Sequence, residues 1–239
     1  MKTSAMHILS CLLILAATAA LSPGQAAAAD PPLNQLTAQE KADGWQLLFD
    51  GKSVKGWHSW RTKKPLEAGA WSVVDGALTL SKGGGDIYTD EAFENFELTL
   101  EWQTTGNSGV LLRVNPEAKG PIYGVAPEIQ IEPRTGSTKN STAALYDIYP
   151  PSDVEPIQPD SWNTVRVRLV DGHGEHWFNG QQVYTYTIGS DDWNTRIAAS
   201  KWKNSKGFAE TALGHIGLQD HGAKVAFRNI KIRQLPAEK

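Results

Sequence analysis

The chain has 239 residues, 40% of them hydrophobic and 21% charged, so it can bury a sizeable core and is neither disordered, collagen-like nor a coiled coil. A formal net charge of -3 leaves no basic excess to neutralise phosphates, which argues against nucleic acid as a partner and for a neutral small molecule or glycan. Nine Trp, 22 Gly and 13 Pro favour pleated sheets joined by tight turns over long helices.

The chain opens with Lys2, a short apolar run from Ile8 to Leu21, Ser22-Pro23-Gly24 and then Ala26 to Ala29. A charged start, a short apolar stretch and an A-x-A site read as a secretory signal peptide cut after Ala29. The expected destination is therefore the periplasm or the exterior. The run is shorter than the ~20 apolar residues that cross a bilayer, and no later stretch approaches that length, so no membrane span is expected. Cys11 lies near the start of the apolar run instead of after it, which disfavours a lipoprotein anchor. Cleavage removes Lys2, so Lys+Arg falls from 23 to 22 against 26 Asp+Glu, and the mature domain, residues 30–239, carries -4. It also removes the only Cys, so that domain must be stabilised by its core without disulfides.

After Pro31-Pro32, Leu36 to Lys41 suits a short helical turn, and Trp45 to Phe49 opens the folded part. Trp71 to Val74 and Ala77 to Leu80 flank Asp75-Gly76, a two-residue hairpin signal. Phe96 to Trp102 alternates with period 2, which puts Phe96, Leu98, Leu100 and Trp102 on one buried face. Val110 to Val114 reads as its antiparallel partner across Gly106-Asn107-Ser108-Gly109. Trp162 to Val170 alternates again, and Glu175 to Phe178 with Gln181 to Thr187 form a second hairpin across Asn179-Gly180. Ile216 to Gln219 and Val225 to Leu235 complete the set. Many short strands without alternating helices predict an all-β fold of two packed sheets in one domain. Gly120 to Asp160 is rich in Pro and polar residues around one short strand. Because it contains Tyr123, Tyr146, Ile148 and Tyr149, it is expected to be an ordered loop that walls a site.

That short strand carries the first candidate chemistry. In Pro127 to Glu132, period 2 sends Glu128, Gln130 and Glu132 to one face and Ile129 and Ile131 to the core. Carboxylates two positions apart stand roughly 6–7 Å apart along a strand. Such spacing can split two pKa values into an acid and a base, as glycoside hydrolysis requires. A solvated polar face is the plainer reading. Gln130, with two donors and an acceptor but no charge, suits sugar hydroxyls. A second cluster, Gly214 to Gly222, ends a strand in Gln219, Asp220 and His221. A His beside an Asp is an oriented base or a metal site, or equally a turn whose Asp caps its own backbone. In His176-Trp177-Phe178, His176 shares a face with Phe178; such a His is usually structural but becomes a candidate beside Glu128. Gly83-Gly84-Gly85-Asp86 lacks the Lys-Ser/Thr and helix of a phosphate loop and reads as a wide turn.

The ordered set Trp45 to Lys52, Gly56-Trp57, Gly85-Asp86-Ile87-Tyr88-Thr89, Phe96-Glu97-Leu98, Gly106 to Gly109, Pro127 to Gln130, His176 to Gly180 and Gly217 to Gly222 resembles the 3-keto-disaccharide hydrolase domain family. The resemblance covers essentially the whole mature chain. It implies a concanavalin A-like jelly-roll sandwich of two antiparallel sheets, and cleavage of glycosides already oxidised at C3. It carries Glu128, Gln130, His176 and His221 into the site, with Asn107, Arg113, Lys201, Gln219 and Asp220 as neighbours. Tyr146, on the loop expected to wall the site, is added as a further substrate contact. Family members often have Asp where this chain has Glu132, which keeps Glu132 out of the set.

A C3 ketone acidifies the C2 proton. A base can then remove that proton, the charge on O3 can be stabilised, and the C1 substituent can leave by elimination, with water adding later. Glu128 or His176 would be the base. Arg113, Lys201, His221 or a divalent cation held by Glu128, Asp220 or a His would face O3. The expected partner is an oligosaccharide or glycoside, with a sugar 3-dehydrogenase as the source of the ketone. Two other classes stay open. A conventional β-glucanase of the same superfamily would show Glu-x-Asp on its catalytic strand, where this chain has Glu128-Ile129-Gln130. A non-catalytic carbohydrate-binding module would use Trp57, Trp60, Trp177, Trp193 and Trp202 as stacking platforms.

Overall fold

The computed structural model describes residues 32–238 apart from 153, 156 and 159, so the signal-peptide reading of residues 1–29 lies outside the described residues. Chain order gives α1 (Ala38–Ala42), β1 (Trp45–Leu47), β2 (Trp57–Ser59), β3 (Trp71–Val74), β4 (Ala77–Leu80), β5 (Ile87–Phe93), β6 (Phe96–Thr104) and β7 (Ser108–Val114). There follow β8 (Glu128–Ile131), β9 (Asn163–Val170), β10 (His173–Phe178), β11 (Gln181–Thr187), α2 (Asp191–Ala198), β12 (Gly214–Leu218) and β13 (Val225–Gln234). The fold is all-β, as expected, and its two antiparallel sheets form a sandwich. The larger runs β11-β10-β9-β6-β13-β4-β3, with β1 also on β13; the smaller runs β2-β5-β12-β7-β8.

Alternation decides which face of each strand is buried. Phe96, Leu98, Leu100 and Trp102 of β6 meet Ile87, Val110, Leu112, Ile129, Ile216 and Leu218 of the smaller sheet in one core. The hairpin turns are those their residues require: Asp75-Gly76 and Asn179-Gly180 all have positive φ. Thr37 and Glu40 close a capping box that starts α1.

Two expectations are corrected. First, β7 is not the partner of β6. Both edges of β6 are taken, by β9 and β13, whereas β7 lies between β12 and β8 in the other sheet. A turn signal shows that the chain reverses, not that it stays in the same sheet. Second, α2 was not anticipated, although Ser190 caps it through the Trp193 N–H and Asp191 and Asp192 occupy its first turn. The outer face of the smaller sheet carries a second apolar cluster of Trp60, Tyr88, Leu111, Val114, Ile122, Val125 and Ala126. In the 120–160 segment, residues 143–146 bond along the free edge of β8 through Gln130 N to Ala144 O (2.9 Å) and Tyr146 N to Glu128 O (2.8 Å).

Candidate functional site

The outer face of the smaller sheet opens into a cleft of about 250 Å³ lined by Asn107, Tyr123, Glu128, Gln130, Tyr146, Lys201, Gln219 and His221. Strand ends supply most of them. Asn107 immediately precedes β7, Gln219 and His221 follow β12, and Glu128 and Gln130 stand on β8. Lys201 opens a short 3-10 turn (Lys201–Asn204) started by the Ser200 hydroxyl, which accepts from Trp202 N at 3.0 Å. The two strand residues are not a solvated polar face: Glu128 is 5% exposed and Gln130 2%.

A buried carboxyl needs partners. Gln219 Nε2 donates to Glu128 Oε2 at 3.2 Å, and Gln130 Nε2 donates to Asn107 Oδ1 at 3.3 Å. Gln219 is held in turn by its own backbone, with its N–H on Gly109 O (2.9 Å) and its carbonyl accepting from the Ser108 hydroxyl (2.8 Å). An amide offers both a donor and an acceptor, so Gln219 can serve a charged or a protonated Glu128. Glu128 lies across β7 at Gly109, where an added Cβ would come within 2.5 Å of Glu128 Oε1. Only glycine leaves that room.

Burial is the main cause that pushes the Glu128 carboxyl up to about 8; the Asp86 charge adds to the rise, while the Lys201 ammonium and the Gln219 hydrogen bond oppose it. Asp86 is pushed up to about 6, chiefly by burial and also by the Asp220 charge, against the Asp220 N–H and the His221 charge. Asp86 was not among the expected site residues. It sits at the end of a glycine-rich turn, and what makes it part of the site is the Asp220 N–H on its Oδ1 at 2.9 Å, from 134 residues away. Lys201 Nζ lies 3.9 Å from the Tyr146 ring and 4.3 Å from the Trp202 ring, which holds the cation at the cleft on aromatic faces.

Seven of the ten expected site residues thus come together, and three do not line the cleft. Asp220 is a structural latch: its carboxylate accepts from Gly85 N (2.8 Å) and Gly222 N (2.9 Å), tying the start of β5 to the end of β12. Its backbone positions Asp86. His176 lies on β10 of the opposite sheet, 2% exposed, with Nδ1 2.9 Å from Tyr184 Oη and Nε2 3.2 Å from Tyr186 Oη. Burial holds its pKa down at about 3, so it is neutral at ordinary pH. Arg113 is the extra residue of a bulge in β7, at φ 57°, where Leu111 and Val114 flank two residues opposite the single Ile216. It is buried, and the charges that act on it are those of Tyr186 and Glu94. Glu132 stands apart as the resemblance implied, held by Arg134 Nη2 at 2.7 Å. Among the described residues no group of three or more His, Cys, Asp or Glu side chains is placed to hold a metal ion.

Residues 44–233 match the 3-keto-alpha-glucoside-1,2-lyase-like domain. The chain belongs to that family. A 3-keto-disaccharide hydrolase of Bacteroides thetaiotaomicron is 30% identical over 85% of this chain and 82% of its own length. Two solved structures from Parabacteroides distasonis, each described as a glycosyl hydrolase, also align with it. One is 33% identical with a TM-score of 0.75 over 85% of this chain and all of its own; the other is 28% identical with a TM-score of 0.64 over 80% and 99%.

Proposed function

We propose that the protein is a carbohydrate-active enzyme that cleaves the glycosidic bond of sugars oxidised at C3, by removal of the C2 proton and elimination of the C1 substituent, followed by hydration. The observation that carries this reading is that, among the described residues, the buried Glu128 is the one carboxyl lining a cleft that also holds a cation, Lys201, and neutral amides from Asn107, Gln130 and Gln219, whereas Asp86 does not line it. Direct hydrolysis uses two carboxyls flanking one bond. Here the second carboxyl on the strand, Glu132, is paired with Arg134 away from the cleft.

The steps balance on these groups. Glu128 takes the C2 proton as its C–H electrons form the enolate, with the negative charge on O3. Lys201 and His221 donate to O3 and to the departing oxygen as the C1–O bond breaks. Water then adds across the new double bond. A carboxyl pushed up to about 8 is a stronger base than a solvated one and lies near the working pH of a general base. The binding-module reading loses its platforms: Trp57, Trp60, Trp193 and Trp202 are buried, and Trp177 is covered by the Arg166 guanidinium at 4.2 Å. In the same reading, residues 1–29 are an export signal that leaves one sandwich domain, 30–239, outside the cytoplasm. The ketone is then supplied by a dehydrogenase acting at C3 of the sugar.

The test is incubation of residues 30–239 with 3-keto-trehalose and, in parallel, with trehalose and laminarin, with and without chelator. Turnover of the oxidised sugar alone is expected; turnover of the unoxidised sugars, or of none, overturns the reading. Loss with chelator would add a divalent cation to the site. In heavy water the product should carry deuterium at C2, and its absence would sink the elimination route.

A further inference from the structure

Tyr123 is unlike the other cleft residues. It is 43% exposed, one of four large hydrophobic side chains so exposed among the described residues, and the only one of these that lines the cleft. Its mount is rigid. It is the central residue of the 3-10 turn Ile122–Gly124, which closes through Gly124 N to Pro121 O (2.9 Å) and Val125 N to Ile122 O (3.2 Å). Ile122 beside it is fully buried in the second apolar cluster, close against Gly217 of β12, where an added Cβ would meet Ile122 Cδ1 at 3.1 Å. Trp202 leans on the Tyr123 ring at a centroid distance of 6.4 Å and 48° and leaves much of it uncovered. An aromatic side chain fixed by its neighbours yet left open to water at the rim of a polar cleft has a face to offer a ligand.

The size of the cleft says which part of a ligand. About 250 Å³ lies below the roughly 300–1,000 Å³ of pockets that enclose a drug-sized ligand, so a disaccharide does not fit inside whole. With one ring placed among Asn107, Glu128, Gln130 and Gln219, as the function argued above requires, the next would lie at the rim. We propose that Tyr123 is the platform for the leaving group, stacking on the apolar face of a second ring, so that the enzyme selects substrates with a cyclic aglycone over those with a small alkyl one. The proposal rests on the function argued above and adds to it the class of leaving group.

The experiment compares Tyr123→Ala, Tyr123→Phe and wild type on 3-keto-trehalose and on methyl 3-keto-glucoside. Stacking of one ring predicts that the ratio of kcat/KM for the disaccharide to that for the methyl glycoside falls roughly two- to tenfold in Tyr123→Ala, mainly through KM. Tyr123→Phe, which keeps the face and loses the hydroxyl, should restore the ratio. Equal losses on both substrates, or a Tyr123→Phe as poor as Tyr123→Ala, overturn the platform while leaving the reaction standing. Affinities of both sugars are measured by calorimetry on the same proteins. If wild type turns over neither ketone, the function fails separately, and the platform stands only if Tyr123→Ala weakens the disaccharide selectively; no selective loss, or no binding, overturns it.

Discussion

At the residue scale the site turns on the pair Glu128 and Asp86. Both are pushed above the ordinary carboxylate range, to about 8 and about 6, with burial the largest cause for each. As pH rises Asp86 loses its proton first, and its charge then holds the Glu128 proton on. If Glu128 is the base, only its ionised form works, so kcat/KM should be low at pH 6 and rise through about 8. Glu128→Gln should lose roughly 10²–10⁴ in turnover, the range of general acid–base catalysis. Asp86→Asn is the sharper test, because it removes a like charge without touching the base. Glu128 then ionises more readily, and the rising limb of the pH profile should move to lower pH. A limb that stays in place or moves up would show that Asp86 does not act through Glu128. Asp86 could have been suspected only from its place in the motif Gly85 to Thr89, since its partner Asp220 comes from the far end of the chain.

At the element scale β7 and β8 form the floor of the cleft, and their register places Gly109 opposite Gln130 and Leu111 opposite Glu128. Gly109→Ala would drive a methyl group to 2.5 Å of Glu128 Oε1 and 2.7 Å of its Cγ, so the Glu128 side chain must move aside. A displacement of about 1 Å of a reacting group can cost about 10²-fold. Gly109→Ala should therefore lose turnover on that order while its β-sheet circular dichroism and cooperative unfolding persist; full activity would show that Glu128 has no fixed position to lose. The strand itself was legible, since alternating Glu128-Ile129-Gln130-Ile131 splits its faces between core and a polar side, but that the polar side is a buried site and not a solvated face comes only from the structure. So were the Asp75-Gly76 and Asn179-Gly180 hairpins, because positive φ demands those residues. What could not be read is which sheet a strand joins. The β6 and β7 periodicities fit either sheet, and only the occupied edges of β6 send β7 across. His176 shows the same limit, for its pattern fixes that it faces inward but not that two tyrosine hydroxyls from β11 wait there.

At the scale of the whole molecule, two of the buried titratable groups, His176 and Glu128, sit on opposite sheets and tilt stability in opposite directions. His176, ordinarily near 6.5, is held at about 3 by burial, so between these values the unfolded chain binds the proton that the folded one refuses. Stability from His176 is complete above about 6.5 and drains away as pH falls toward 3. Glu128 runs the other way. Its pKa rises from 4.5 to about 8, so its contribution is complete below 4.5 and is lost as pH climbs through about 8. At 1.36 kcal/mol for each pKa unit, each arm is worth on the order of a few kcal/mol. Together they place the greatest stability of the sandwich in mildly acidic solution, where the two slopes overlap and oppose. Urea unfolding at pH 4, 5.5 and 8.5 tests this with one variant for each arm. His176→Gln should flatten the loss between pH 5.5 and 4 and keep turnover, since its ring lies inside the larger sheet and not on the cleft. Glu128→Gln should flatten the loss between pH 5.5 and 8.5 and be the more stable protein at pH 8.5, where wild type carries a buried charge. If Glu128→Gln gains nothing at pH 8.5, that charge is not buried, and the raised base on which the proposed chemistry depends is lost with it.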